Sequence, residues 1–219
     1  MVKIPAGEFN LGFDSTSEIK PFMSEKTAGL NAQPKQILFL ETFYIDRYET
    51  TYADFLKFKP KAKYSTSIPN EPVRGVSWFE ADSYCLSIGK RLPTEFEWEK
   101  AARGSDNRHF VWGNKFNKGN ANFSKKVISI YTKNKDQSIF GVWGMNGNVS
   151  EWTSSWYLPY PHSSHKDENY GKKLKVTRGG SYSKRDHGFM KEFVMIPFRN
   201  ILPLNARFWD TGFRCALSE

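Results

Sequence analysis

Apolar residues alternate between two faces along Gln36–Tyr44, which is the pattern of a β-strand. The two faces would carry these residues: Leu38, Leu40 and Tyr44 on one side, and Ile37, Phe39 and Phe43 on the other. A second strand is predicted over Lys3–Phe13. Beyond Gly104, short aromatic segments alternate with Gly, Asn, Ser and Lys turns, which predicts short strands and a high loop content.

Local start and stop signals predict helices in the first half of the chain. Two residue pairs have the Ser/Thr-x-x-Glu spacing of a capping box: Ser77 with Glu80, and Thr94 with Glu97. We therefore predict helices over Trp78–Ile88 and Glu95–Ala102, each followed by a glycine. A shorter helix is predicted from an N-cap at Thr50-Thr51 to about Lys59, because Pro60 cannot continue it.

Together these elements indicate an α+β protein, in which two main helices pack on short, twisted, mostly antiparallel strands. No internal repeat or Pro/Gly/Ser linker divides the 219 residues, so one domain over residues 1–219 is predicted. No run of about 18 apolar residues could cross a bilayer, which predicts that the chain has no membrane span. Met1–Pro5 has neither the long apolar region nor the small-residue cleavage site of a signal peptide.

The chain is basic, with 32 Lys and Arg against 23 Asp and Glu and a net charge of +9. The basic residues are scattered, with local clusters only at Lys57–Lys63, Lys125-Lys126 and Lys172–Lys175. A scattered surplus predicts weak, salt-sensitive attraction to anions and no specific nucleic-acid recognition. The two cysteines lie too far apart in sequence for a CxxC redox pair or a four-cysteine zinc site. They are either two buried thiols or a disulfide.

A set of motifs in order along the chain resembles the formylglycine-generating, or sulfatase-modifying factor, family. The motifs are Gly75–Trp78, Tyr84-Cys85, Gly89–Glu95, Glu97–Gly104, Gly147–Val149, Glu151-Trp152, Arg178–Tyr182 and Trp209–Ala216. The resemblance implies an elaborated C-type-lectin-like fold whose two chain ends meet in one sheet. It also implies a disulfide between Cys85 and Cys215, and hence a periplasmic or extracellular protein whose signal sequence is absent from this chain. The alternative is a cytoplasmic protein with two free thiols.

The cysteine pair used by the family's oxidases is missing. By the resemblance, its positions correspond to Lys184 and Phe189, which cannot hold Cu(I), so neither bound copper nor formylglycine generation is expected. An aromatic residue of the family's cleft is also replaced, by Ser150. Ser181 and Glu151 remain catalytic candidates, although a serine after two glycines is more often structural.

Calcium is the cofactor that the resemblance implies. Its ligands would be the main-chain oxygens of Gly147 and Val149 with the carboxylate of Glu151, which is a plausible nucleus for this hard cation. A second family site would begin at Asn122-Phe123, but the Gly/Asp-rich loop that should carry its acidic ligand is not apparent in the shortened Ser124–Phe140. Alternatively, Glu151 accepts hydrogen bonds from loop amides and rigidifies the same turn.

Aromatic residues in the second half of the chain predict a binding surface, since flat rings stack on sugars, peptides or bases. The candidate ligand-binding residues are Tyr157, Tyr160, Tyr182, Lys184, Phe189, Arg207 and Trp209. The sequence therefore favours a non-oxidase member of the family that serves as a ligand-binding or accessory subunit, its partner being another protein or a small or glycan ligand. The alternative is a metal-dependent oxidoreductase on the same scaffold, with iron as the candidate metal. Its ligands would be His162 and His165 with Asp186 or His187.

Overall fold

The computed structural model describes residues 1–14, 29–61, 68–183 and 191–219, except for the side chains of residues 191 and 192. The helices in this part of the chain are α1 (Tyr52–Phe58), α2 (Trp78–Ser87) and α3 (Glu95–Arg103). Short 3-10 turns cover Leu30–Ala32 and Lys191–Val194. The strands are β1 (Val2–Ile4), β2 (Gly7–Leu11), β3 (Gln36–Leu40), β4 (Phe43–Ile45), β5 (Ser150–Trp156), β6 (Leu174–Arg178), β7 (Asn200–Pro203), β8 (Thr211–Phe213) and β9 (Ala216–Ser218).

Both predicted capping boxes are present. The side chains of Ser77 and Thr94 accept the N3 backbone N–H groups, and the glutamates at N3 accept from the N-cap backbone in return. Thr51 caps α1 in the simpler way, by accepting from the N–H of Asp54. These bonds satisfy groups that a helix cannot satisfy itself, so the three predicted helices are confirmed with end points shifted by one residue or so.

The strands form three sheets, with the order β1-β4-β9, β2-β3 and β7-β6-β5-β8. All pairings are antiparallel except β5 with β8, which is parallel. The first sheet contains the strands nearest the two ends of the chain, as the resemblance implied. The α+β fold class predicted from the sequence is therefore confirmed.

Both long predicted strands are divided in the structure. Lys3–Phe13 breaks after β1, where Pro5 has no N–H to continue a ladder, and Gln36–Tyr44 breaks after β3. At each break the chain passes from one sheet to another, because β1 pairs with β4 whereas β2 pairs with β3. The predicted alternation holds within β3, whose Ile37 and Phe39 are exposed, but Phe43 in β4 is buried.

The predicted disulfide is present. It joins Cys85 in α2 to Cys215, which lies between β8 and β9, with the two Cα atoms 5.6 Å apart. Both cysteines are fully buried in a cluster that includes Trp152 and Phe213. The disulfide therefore ties α2 to the strands that carry the end of the chain.

A network of buried charges fixes α3 against the rest of the core. The Glu99 carboxylate accepts from Arg103 Nη1 at 3.0 Å, from the N–H of Gly12 at 2.8 Å and from Arg178 Nη2, and all three of these charged side chains are fully buried. One turn earlier, Glu95 forms a bidentate pair with Arg199, at 2.7 and 2.8 Å. Each carboxylate therefore has a fixed cationic partner, as buried charges require.

In the described ranges no helix is both long and apolar enough to span a bilayer.

Candidate functional site

The candidate site lies where β6 ends and β8 begins. Ser181 follows β6, and its hydroxyl donates to Asp210 Oδ2 at 2.6 Å, with both side chains buried. The same hydroxyl oxygen accepts from the N–H of Ser183 at 3.2 Å. The main-chain oxygen of Asp210 accepts from the N–H of Ser150 at 2.9 Å. The hydrogen bond between Ser181 and Asp210 therefore fixes the turn after β6 against the start of β8. Whether Ser181 also acts in catalysis stays a prediction.

The two glycines before Ser181 are required by close packing. A Cβ atom on Gly180 would lie 2.1 Å from Val194 Cγ1 and 2.9 Å from the main-chain oxygen of Asn146. Gly179 has a φ of +76°, and a Cβ there would approach the Trp98 ring at 3.1 Å. The Gly-Gly-Ser segment is thus shaped by the core beneath it and presents Ser181 and Tyr182 at one edge.

An aromatic rim borders this turn. The Tyr182 hydroxyl donates to the main-chain oxygen of Trp209 at 3.1 Å, and the Arg74 guanidinium carbon lies 5.9 Å from the Tyr182 ring centre. The Trp209 side chain is 62% exposed. The structure therefore brings two predicted ligand-binding residues, Tyr182 and Trp209, together beside a cation that was not predicted. We call Arg74, Tyr182 and Trp209 the aromatic rim.

Arg207, a further predicted ligand-binding residue, is bound to Glu80 and to the main chain of Gly75. Its guanidinium donates to Glu80 Oε2 and, at 3.3 Å, to the main-chain oxygen of Gly75. Lys59 donates to the other Glu80 oxygen at 2.6 Å. Burial alone would raise the pKa of Glu80, but the hydrogen bonds from Arg207 and Lys59 outweigh it and lower the pKa to about 2. Glu80 is thus shared by two cations, and the half-exposed Arg207 side chain keeps part of its charge uncompensated.

Tyr157 and Tyr160, predicted to bind a ligand, are both buried. The Tyr157 hydroxyl donates to Asp167 Oδ2 at 2.7 Å, and the Arg199 guanidinium carbon lies 5.0 and 4.3 Å from the Tyr157 and Tyr160 ring centres. These rings pack around a buried cation and are not part of the exposed surface, so their contact with a ligand stays a prediction. Two further candidates, Lys184 and Phe189, lie outside the described residues.

Among the described residues, the histidines proposed for iron are not part of a three-residue metal-binding group. His162 and His165 belong to a polar loop, and Asp186 and His187 lie outside the described residues. Within the described ranges no group of three His, Cys, Asp or Glu side chains has the geometry to hold a metal ion.

The carboxylate of Glu151 does not fit the calcium site implied by the resemblance. Arg214 binds it in a bidentate pair, Nε to Oε2 at 2.7 Å and Nη2 to Oε1 at 2.6 Å, and Trp98 Nε1 donates to Oε2 at 2.8 Å. A calcium ion there would compete with a fully buried guanidinium for the same two oxygens. In the described part of the chain the side chains of Arg214 and Trp98 bind the Glu151 carboxylate, whereas the sequence suggested either a calcium ion or loop amides.

The two segments predicted to bind calcium do lie side by side. A Cβ atom on Gly147 would approach the main-chain N and O of Asn122 at 3.0 Å, and the N–H of Asn148 donates to that oxygen at 3.2 Å. Asn122 Oδ1 accepts from the N–H and hydroxyl of Ser124, so it forms a local turn instead of presenting a free oxygen.

An acidic residue does follow Asn122 in the second predicted site, contrary to expectation. Asp136 is 1% exposed, and its carboxylate accepts from the N–H of Asn146 at 2.9 and 3.1 Å. It lines a cavity of about 20 Å³ together with Glu49, which is also buried. Asn148 Nδ2 donates to Glu49 Oε1 at 3.1 Å. Sequence reasoning missed both carboxylates because neither stands in a recognisable ligand spacing.

These two carboxyl groups are electrostatically unusual. Burial raises the pKa of Glu49 to about 8 against the opposing effect of Arg214, and it raises the pKa of Asp136 to about 7 despite backbone hydrogen bonds. Gly144 packs directly on Glu49, since a Cβ there would lie 2.7 Å from Oε1. We call this pair and its small space the acidic cavity. It can hold one water molecule or one small cation.

Comparison with known proteins agrees with this architecture. The model of the sulfatase-modifying factor enzyme 1-like domain family matches residues 1–219, so the chain belongs to that family. The formylglycine-generating enzyme of Mus musculus is 30% identical over 99% of this chain and 74% of its own length. The inactive C-alpha-formylglycine-generating enzyme 2 of Bos taurus is 26% identical over 99% of this chain and 87% of its own. The family therefore includes members named as inactive.

Solved structures share the fold at low sequence identity. Treponema denticola variable protein 1 superimposes with a TM-score of 0.73 at 18% identity, covering 100% of this chain and 95% of its own. PvdO from Pseudomonas aeruginosa gives a TM-score of 0.68 at 20% identity, covering 99% and 93%. At these identities the likeness shows the C-type-lectin-like fold of this family and nothing about ligands.

Proposed function

We propose that this protein is a non-oxidase member of the formylglycine-generating enzyme family, acting as a ligand-binding or accessory subunit. The observation that carries the proposal is the state of its cysteines. The chain has two, and the disulfide between Cys85 and Cys215 uses both, so no thiol remains for copper. Lys184 and Phe189 stand where the family's oxidases have their cysteine pair.

The aromatic rim is the proposed contact surface. Trp209 offers an exposed flat face beside Tyr182, whereas the neighbouring Arg74 is buried and paired with Glu71 at 3.1 Å and orders the rim from within. Such a surface fits another protein or a small or glycan ligand.

The histidine-based oxidoreductase is not proposed, because nothing in the described geometry favours it. The disulfide supports a periplasmic or extracellular location, where such bonds persist.

Incubation with a sulfatase peptide containing Cys-x-Pro-x-Arg, copper and oxygen is expected to yield no formylglycine by mass spectrometry. The reason is that an ammonium group and a phenyl ring cannot bind Cu(I), whereas thiolates can. The Lys184→Cys/Phe189→Cys double variant serves as the matched control, since it should withdraw Cu(I) from a chelator when the wild type does not. Turnover of the peptide by the wild type would refute the proposal.

Calcium is proposed for the acidic cavity instead of Glu151, because Glu49 and Asp136 supply hard carboxylate donors beside main-chain segments. Binding to the native state alone would add about 2.7 kcal/mol at one hundred times the dissociation constant. For a domain of this size, each kcal/mol of added stability raises the melting temperature by about 2–4 °C, and the rise from calcium is the product of the two. We expect this rise when calcium replaces EGTA in a thermal melt.

Two single variants distinguish calcium binding in the acidic cavity from calcium binding to carboxylates on the protein surface. Asp136→Asn should lose the calcium-dependent rise in melting temperature, and Glu168→Gln, in an exposed loop, should retain it. An unchanged melting temperature for the wild type at all calcium concentrations would remove the ion from the proposal. It would leave the argument about the missing thiols untouched.

A further inference from the structure

Strand β3 exposes apolar side chains on one face. Ile37 is 67% exposed and Phe39 is 55% exposed, and both point to the same side of the strand because they are two residues apart. Among the described residues β3 pairs only with β2, in a two-stranded sheet. An edge strand with exposed apolar residues is a template for pairing with another chain.

The residues that flank β3 make this edge self-complementary. In an antiparallel pairing of two copies about a two-fold axis at Leu38, position 37 of one copy faces position 39 of the other, because their numbers sum to twice 38. Ile37 would then lie opposite Phe39 of the second copy. Lys35 and Glu41 directly flank β3, and if the pairing extends by one residue at each end, Lys35 lies opposite Glu41 of the second copy.

This pairing combines attraction of two kinds. Apolar residues directly opposite each other across a strand pair stabilise it, and so do opposite charges. Lys35 contacts Asp14 in its own chain, and its side chain is only 18% exposed, so its pairing with Glu41 of a second copy exchanges the Asp14 contact for an intermolecular one. Flanking residues of one sign would repel a second copy, whereas Lys35 and Glu41 attract one.

We propose that β3 is a homodimerisation edge, at which two copies of this chain pair antiparallel about Leu38 to form a continuous four-stranded sheet. The arrangement is isologous, since the contact between positions 37 and 39 occurs twice, once on each side of the two-fold axis. The pairing is short and its area small, so the dimer is weak and depends on protein concentration. The surface is separate from the aromatic rim and does not rest on the proposed function.

Sedimentation equilibrium at low salt, from micromolar to millimolar protein, tests the proposal. The wild type should show a monomer–dimer equilibrium, and Ile37→Lys or Phe39→Lys should weaken it at least tenfold. Leu86→Lys is the matched control, because Leu86 is similarly exposed, at 61%, but lies on α2. It should leave the equilibrium unchanged. A wild type that remains monomeric throughout overturns the proposal, as does equal weakening by the control.

Mixing two charge variants tests the register itself. Lys35→Glu and Glu41→Lys should each weaken self-association, because each homodimer then faces two like-charged pairs. In a mixture, one copy of each variant restores opposite charges at both ends of the strand pair. We expect the heterodimer to form at least as well as the wild-type dimer. Failure of the mixture to associate, with both variants folded by circular dichroism, overturns the two-fold register.

Discussion

Glu99→Gln is expected to lower the free energy of unfolding by about 3–5 kcal/mol, as breaking a buried ion pair does. The glutamine keeps an oxygen for the N–H of Gly12, but it removes the negative charge that Arg103 and Arg178 share. Both guanidinium groups are fully buried, so water cannot replace the lost carboxylate. Urea unfolding followed by circular dichroism measures the change.

An exposed ion pair supplies the control for this prediction. Glu219 pairs with Lys3 at 2.7 Å, and both side chains are more than half exposed. Glu219→Gln should leave the unfolding midpoint unchanged, because solvent already screens that pair. If Glu99→Gln had as little effect as Glu219→Gln, the buried network would be contributing nothing to stability.

The helices could be predicted because their signals are local. The capping boxes of α2 and α3 span four residues each, and no distant contact is needed to form them. The strands were less predictable, since alternation shows which residues share a face but not which partner they pair with. Only the sheet assignments reveal that β1 and β2 belong to different sheets and that the chain must break between them.

The candidate site was partly predictable for the same reason. The motif around Ser181 is contiguous, and its place at the end of β6 follows from it. Asp210, which accepts the hydrogen bond from Ser181, is 29 residues away in sequence. Asp136 lies 10 residues before Asn146, whose N–H donates to its carboxylate. Such pairs are set by the folded chain and leave no spacing pattern in the sequence.

Exposure was the least predictable property. Aromatic composition drew attention to Tyr157 and Trp209 alike, yet Tyr157 is fully buried and Trp209 is 62% exposed. The difference comes from Arg199, whose guanidinium lies between the rings of Tyr157 and Tyr160 inside the protein. Because Arg199 itself is held by Glu95 on α3, the burial of Tyr157 depends on a residue far away in sequence.

Removing the disulfide is expected to lower the free energy of unfolding by about 5 kcal/mol in the Cys85→Ala/Cys215→Ala double variant. The bridged residues are 130 positions apart, and in the chain-entropy model a loop of that size restricts the unfolded chain by about this amount. Wild type unfolded in the presence of reductant should show a similar loss. Thiol titration of the unfolded, unreduced protein should find no free cysteine.

The native contacts around the bridge indicate that most of this loss arises in the unfolded state. The N–H of Arg91 donates to Ala216 O at 2.9 Å, and Lys90 pairs with Asp46, just after β4, at 2.6 Å. The chain just after α2 therefore stays docked to β9 and to the end of β4 without the bond. A released unfolded chain expands and exposes more surface, so the urea m-value should increase in the double variant. An equal loss of stability with an unchanged m-value would instead place the effect in the folded core around Trp152.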